Sequence, residues 1–228
     1  MTRLRRTLAS FGFAAPATSI GLVFLATLVD PKYSWATRSL SSMGESTGLG
    51  LLAVGSSNQL AWLLFNGGLF AGGVLGLPFV ALLWMDARNR LERVGAAWFG
   101  FALVCMSGVG VAFLESDAAA APFDQFHFPF AVLLFFSIAI APWIHGSGMA
   151  LADDERAGVL TMWLANLYVV QWVLWIILEA MVFTGDGDTW TYFAVPEFVG
   201  ALALGGWAAW LATRNLRGFG QRGDSTRF

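Results

Sequence analysis

Six apolar stretches, each long enough to cross a lipid bilayer, take up most of this chain. They run from Phe11 to Val29, Leu60 to Met85, Val94 to Leu114, Phe128 to Ile144, Val159 to Phe183 and Trp190 to Ala212. A helical crossing needs about 20 apolar residues at 1.5 Å each. In hydrocarbon every backbone polar group must find its partner within the protein, so apolar runs of this length specify helices. The expected fold is therefore all-α: a polytopic membrane bundle of six transmembrane helices forming one domain over residues 1–228. Apolar residues make up 57% of the chain and charged residues 12%. That leaves too little polar surface to solvate a water-soluble fold, and the longest connection, Asp30 to Gln59, is too short for a second domain.

Arg3, Arg5 and Arg6 precede the first run like the n-region of a secretory signal. That run is about twice the length of a signal core, however, and no small-x-small cleavage site precedes Asp30, so a retained helix is expected. Orientation follows from the basic residues. Arg3, Arg5, Arg6, Arg88, Arg90, Arg93, Arg156, Arg214, Arg217, Arg222 and Arg227 fall in the tails and in the second and fourth connections, which share one side. The other side has only Lys32 and Arg38 among its bases and carries Asp30, Glu45, Glu115, Asp117, Asp124, Asp186, Asp188 and Glu197. The positive-inside rule then places both termini in the cytoplasm of a cell-membrane protein. The arginines suit topology and lipid headgroups. No basic stripe suggests nucleic acid, and the expected partners are membrane lipids.

Several chemistries are disfavoured. Cys105, the single cysteine, lies inside the third run, so no internal disulfide or paired-thiol motif exists. The two histidines, His127 and His145, lie on one helix about 27 Å apart at its rise per residue, too far to share a metal or haem. No metal site or cofactor is assigned. Gly44-Glu45-Ser46-Thr47-Gly48 has the G-x-S-x-G spacing but lies in the connection between two membrane runs, not between a strand and a helix as a nucleophile elbow requires, and no phosphate loop is present. Gly68, Gly72 and Gly76 recur every four residues in the second run, and Ala201, Gly205 and Ala209 in the sixth. Such stripes let membrane helices approach closely. Pro78 and Pro142 are expected to kink or end the second and fourth helices.

The polar groups at membrane depth gather at the acidic ends of the helices. They are Glu115, Asp124, His127, Glu179 and Glu197, the candidates for acid–base chemistry, and such groups face the bundle interior or water. Thr161, Tyr168, Trp172, Trp175 and Glu179 lie within about 60° of one another on the fifth helix at 100° per residue. This face either turns inward as part of a binding site or packs, with Glu179 reaching the headgroups. His145 reads as a helix-end residue, and His127 as either a site residue or an interfacial cap. The densest local pattern is Ser39, Leu40, Ser41, Ser42, Met43 and Gly44, a polar turn that Asn66 of the second helix can meet. Leu49, Leu51, Leu52 and Val54 beside Tyr33 and Trp35 indicate that this loop folds down onto the helices.

That turn, with Phe65-Asn66-Gly67-Gly68 and the His127-Phe128 opening of the fourth helix, resembles the archaeal and bacterial membrane family called domain of unknown function 998 over nearly the whole chain. Its turn is also similar to the Ser-Asp-x-Gly turn of the Frag1, DRAM and Sfk1 membrane proteins, with Ser42 standing where Asp often stands. The resemblance implies six membrane helices and no assigned activity. Two functions fit. One is a lipid-binding, membrane-organising or sensing protein with an outward polar site that includes Ser39, Ser41, Ser42, Gly44, Asn66, Tyr168, Trp172 and Trp175. The other is an intramembrane lipid-modifying enzyme using His127 as base and one of the carboxylates Glu115, Asp124, Glu179 or Glu197 as acid or metal ligand, or a Ser39, Ser41 or Ser42 nucleophile paired with His127. A small transporter ranks third.

Overall fold

A computed structural model describes residues 3–45, 57–112, 124–183 and 190–224. It contains six α-helices: α1 Arg3–Val29, α2 Ser57–Asp86, α3 Arg90–Val111, α4 His127–Leu151, α5 Glu155–Met181 and α6 Ala194–Asp224. All six are long and apolar enough to span a membrane, and no strand occurs among the described residues. The chain is thus an all-α membrane bundle of six helices.

The helices are arranged as a ring. α1 packs on α2, α2 on α3, α3 on α4 and α4 on α5, while α6 returns to lie against α1. Contacts between α5 and α6 are the sparsest around this circle. One core fills the half of the bundle nearer the termini, with Phe79, Leu82, Phe99 and Trp207 among its most enclosed side chains. A second, smaller core at the opposite end joins Val23, Phe65 and Ala194 to Leu40 and Met43.

Small residues set the spacings. A Cβ on Gly68 would lie 2.8 Å from Leu22 Cβ, and one on Gly72 2.5 Å from Ser19 Cβ, so this half of the glycine stripe seats α1. Gly76 faces Leu103 of α3 instead. Gly205 of the other stripe meets Pro16 and Ile20 of α1. A further contact joins Gly146 of α4 to Gly158 of α5, where a Cβ on Gly146 would come within 2.7 Å of the Gly158 carbonyl oxygen. Backbone approach of this kind is the principal adhesive where lipid is as apolar as the helices.

The helices overrun the apolar stretches. α1 starts at Arg3, eight residues before the expected Phe11, and α4 continues to Leu151 rather than Ile144. Polar residues just beyond hydrocarbon remain helical because the hydrogen-bond ladder does not end where hydropathy does. In the sixth span the reverse holds. Trp190 to Phe193 form a turn, with Tyr192 at φ 55°, and the helix begins at Ala194. α2 and α4 run through Pro78 and Pro142 instead of ending there.

Candidate functional site

The serine-rich segment folds into a short 3-10 helix, η1, Leu40–Gly44. Ser39 caps it, its Oγ accepting from the Ser42 N–H at 3.2 Å, while Ser42 Oγ donates to the Ser39 carbonyl at 2.7 Å. Two of the three hydroxyls thus hold the turn itself, and Ser41 Oγ lies 3.0 Å from Ser39 Oγ. Three anchors then press the turn onto the helices. Arg38 reaches Asp30 Oδ2 at 3.1 Å and donates to the Ser42 carbonyl at 2.9 Å, tying the turn to the end of α1. Asn66 Nδ2 of α2 donates to the Gly44 carbonyl at 3.2 Å. Glu197 of α6 accepts the Leu40 N–H on Oε2 at 2.6 Å across 157 residues of sequence. A carboxylate at this position satisfies a donor that the short helix leaves open, and Leu40 and Glu197 are both buried.

Gly44 is required by space. A Cβ there would lie 2.8 Å from the Phe65 ring and 2.9 Å from Asn66 Oδ1. Tyr33 and Trp35 stack edge to face beside the turn at 5.6 Å, and Trp35 packs likewise on Phe198 at 5.5 Å. Burial, with Glu197 nearby, raises the Tyr33 hydroxyl pKa well above its ordinary value. The loop therefore folds onto the bundle through Glu45, whereas Leu49, Leu51, Leu52 and Val54 lie outside the described residues.

Beneath this roof lies a cavity of about 610 Å³ whose wall draws on all six helices and η1. The wall is overwhelmingly apolar, and its polar members include Ser41, His127, Tyr168 and Glu197. Phe128 and Phe136 of α4 line it while 74% and 66% exposed, as do the exposed Val169 and Ile176 of α5. The cavity consequently reaches the lipid-facing surface beside these two helices. Phe79 and Phe99 line it, and the Phe99 ring lies 5.2 Å from that of Trp207.

His127 is oriented by backbone. Its Nδ1 lies 2.7 Å from the Ala112 carbonyl oxygen, which can only accept, so Nδ1 carries the proton and Nε2 is left as an acceptor. His127 is buried and lines the cavity together with Glu197. Two of the expected groups thereby share one space. Asn66 and Gly44 lie in the roof above it, outside the lining.

On α5, Thr161 and Tyr168 are buried and Trp172, Trp175 and Glu179 half-buried, while Leu160, Trp163, Leu167 and Leu174 face outward. The face predicted at helical period thus turns to the bundle. Tyr168 and Trp172 line the cavity, with the hydroxyl and the indole N–H beside one another but short of a well-formed hydrogen bond. Trp175 and Glu179 do different work. The Trp175 indole donates to the Thr191 carbonyl at 3.0 Å, and both Glu179 oxygens accept the Thr191 N–H at 3.1 Å, clamping the approach to α6. Asp124 begins a 3-10 turn before α4, and Glu115 lies outside the described residues.

One polar centre escaped the sequence reading. At the end bearing both termini, Arg5 pairs with Asp86 at 2.8 Å, Arg88 with Glu92, and Arg214 with Asp154. His145 is no helix-end residue. It is buried beside a second cavity of about 290 Å³, with Nδ1 3.2 Å from the Glu92 carbonyl and its ring 5.7 Å from Trp207. Gly95 opposite His145 was the available signal, since a Cβ there would lie 2.6 Å from the histidine Cβ. The arginines, read as a topology signal, masked it, because their acidic partners flank two separate connections, Asp86 and Glu92 one and Asp154 the other. Among the described residues no three His, Cys, Asp or Glu side chains gather within reach of one metal ion.

A protein-family profile described as "Protein of unknown function (DUF998)" matches residues 13–214. Nothing among the curated proteins or the solved structures matches the chain.

Proposed function

The chain belongs to the DUF998 family, and from that premise and the site geometry we propose that it is a cell-membrane protein that binds a lipid-like amphiphile within the bilayer, with its termini in the cytoplasm. The observation that carries this reading is the cavity of about 610 Å³, apolar-walled, polar at the roof and reaching the lipid-facing surface at Phe128 and Phe136. Its volume falls among those of ordinary ligand sites, about 300–1,000 Å³. A hydrocarbon chain fits the wall, and a head can meet His127, Ser41 and Glu197. The excess of arginine at the termini end supports the orientation.

Native mass spectrometry on protein extracted in mild detergent tests the reading. Wild type should retain a lipid, and Ala201→Trp, which projects a large ring into the cavity from α6, should lose it while keeping its helical spectrum. Equal retention by both would refute the binding site. The enzymatic alternative draws on one observation, the Nε2 of His127 left open in the same cavity. It predicts that His127→Ala accumulates an unprocessed lipid there, whereas a binder shows the same lipid species in both proteins.

A further inference from the structure

The polar groups facing the cavity differ from those that usually meet lipid. Phospholipid phosphates and fatty-acid carboxylates are recognised by Arg and Lys, by helix N-termini or by clustered backbone N–H groups. No lysine or arginine stands among the described residues that line this cavity. Nor is one in reservoir nearby. The segments 46–56, 113–123 and 184–189, outside the described residues, contain no basic residue in sequence. Lys32 is exposed to solvent, and Arg38 is committed to Asp30 and the Ser42 carbonyl. The η1 N-terminus already gives its Leu40 N–H to Glu197.

What remains toward the cavity includes two accepting groups, His127 and Glu197, beside the Ser41 and Tyr168 hydroxyls and the Trp172 indole N–H, and, among the described residues, no cation. His127 offers Nε2, because the Ala112 carbonyl fixes the proton on Nδ1. Glu197 offers its carboxyl, of which Oε2 alone is engaged, and Ser41 offers a hydroxyl. A negative head brought here would be buried beside the Glu197 carboxyl and the His127 Nε2 with no cation to compensate it, which is unfavourable for a charge in a poorly solvated site. A head that donates hydrogen bonds meets His127 and Glu197 directly.

We propose that the cavity selects single-chain amphiphiles whose head donates hydrogen bonds and bears no negative charge, a long-chain alcohol or amine, and rejects the fatty acid and the alkyl phosphate of the same chain. This rests on the binding reading above and specifies its ligand. The lateral opening beside α4 and α5 admits the chain, and the roof reads the head.

Diazirine-bearing long-chain alcohol, amine, fatty acid and alkyl phosphate probes, matched in chain, are each photolysed with the protein in nanodiscs at neutral pH, and labelling is mapped to cavity-lining peptides. The alcohol or the amine should label at about one-tenth of the concentration needed for either anion. A preference for the amine over the alcohol that Glu197→Gln abolishes identifies a cationic head, and the lack of such a preference identifies a hydroxyl head. Equal or stronger labelling by an anionic probe, blocked by Ala201→Trp, overturns the head assignment and leaves the cavity reading standing. If no probe labels the lining, or Ala201→Trp changes nothing, the binding reading itself fails. Glu197→Gln keeps an oxygen for the Leu40 N–H and so spares the roof, while His127→Leu removes the imidazole acceptor. An alcohol-to-acid ratio unchanged by both substitutions also overturns the proposal.

Discussion

Glu197 holds a backbone donor and faces the cavity at once, and its substitutions separate the two roles. Glu197→Ala leaves the buried Leu40 N–H without a partner and should destabilise the protein by about 1–3 kcal/mol, the usual cost of an orphaned buried donor. Glu197→Gln should cost less than half as much. Unfolding of both variants in one detergent, followed by circular dichroism, checks this, and equal losses would show that the N–H is not the point of attachment. Gly44→Ala should cost about 1–3 kcal/mol through collision with Phe65 and Asn66. A neutral result would mean that η1 can lift off α2. At this scale His127 and Glu197 were legible because an ionisable group inside an apolar run stands out. Their partners were not, since the Ala112 carbonyl and the Leu40 N–H are backbone groups that carry no sequence signature. Glu179 stood out for the same reason yet serves Thr191.

The helices show what periodicity reads and what it misses. Hydropathy located every span, because the bilayer imposes nearly the same length on each. Helical phase separated Tyr168 and Trp172 from the outward Leu167 and Leu174. Neither signal gives pairing. Gly146 and Gly158 lie on adjacent helices without a four-residue stripe, yet they make the closest approach of α4 to α5 recorded among the glycines. Gly146→Leu should force these backbones apart and lower stability by at least about 1–3 kcal/mol. Gly206→Leu is the matched control, since a Cβ at Gly206 meets nothing within 4 Å. Similar melting of the two variants would show that the α4–α5 contact is dispensable.

For the whole molecule, the charge distribution is the support for the proposed orientation. Cysteines placed at Ser46 and Gly187 should react with an impermeant thiol reagent added to intact cells, and one at the exposed Arg90 should react only after permeabilisation. Labelling of the Arg90 site alone would reverse the assignment. Cys105 is buried and should stay silent in these assays. The arginine pairs at the termini end show why a count of basic residues is silent on structure. Arg88–Glu92 is local, but Arg5 of α1 reaches Asp86 at the end of α2 and Arg214 of α6 reaches Asp154 before α5, so these two pairs exist only once the helices have assembled.

The side opening at Phe128 and Phe136 has a consequence for thermodynamics. A pocket continuous with the bilayer equilibrates with a two-dimensional solvent in which amphiphiles are already concentrated. If it takes the lipid-like guest proposed above, its filling follows the mole fraction of that guest among its neighbours and is nearly indifferent to how much is dissolved in water. Even a weak preference per molecule then gives high occupancy. Extraction replaces that solvent with detergent, so the species carried away at purification reflects the last membrane or micelle the protein occupied.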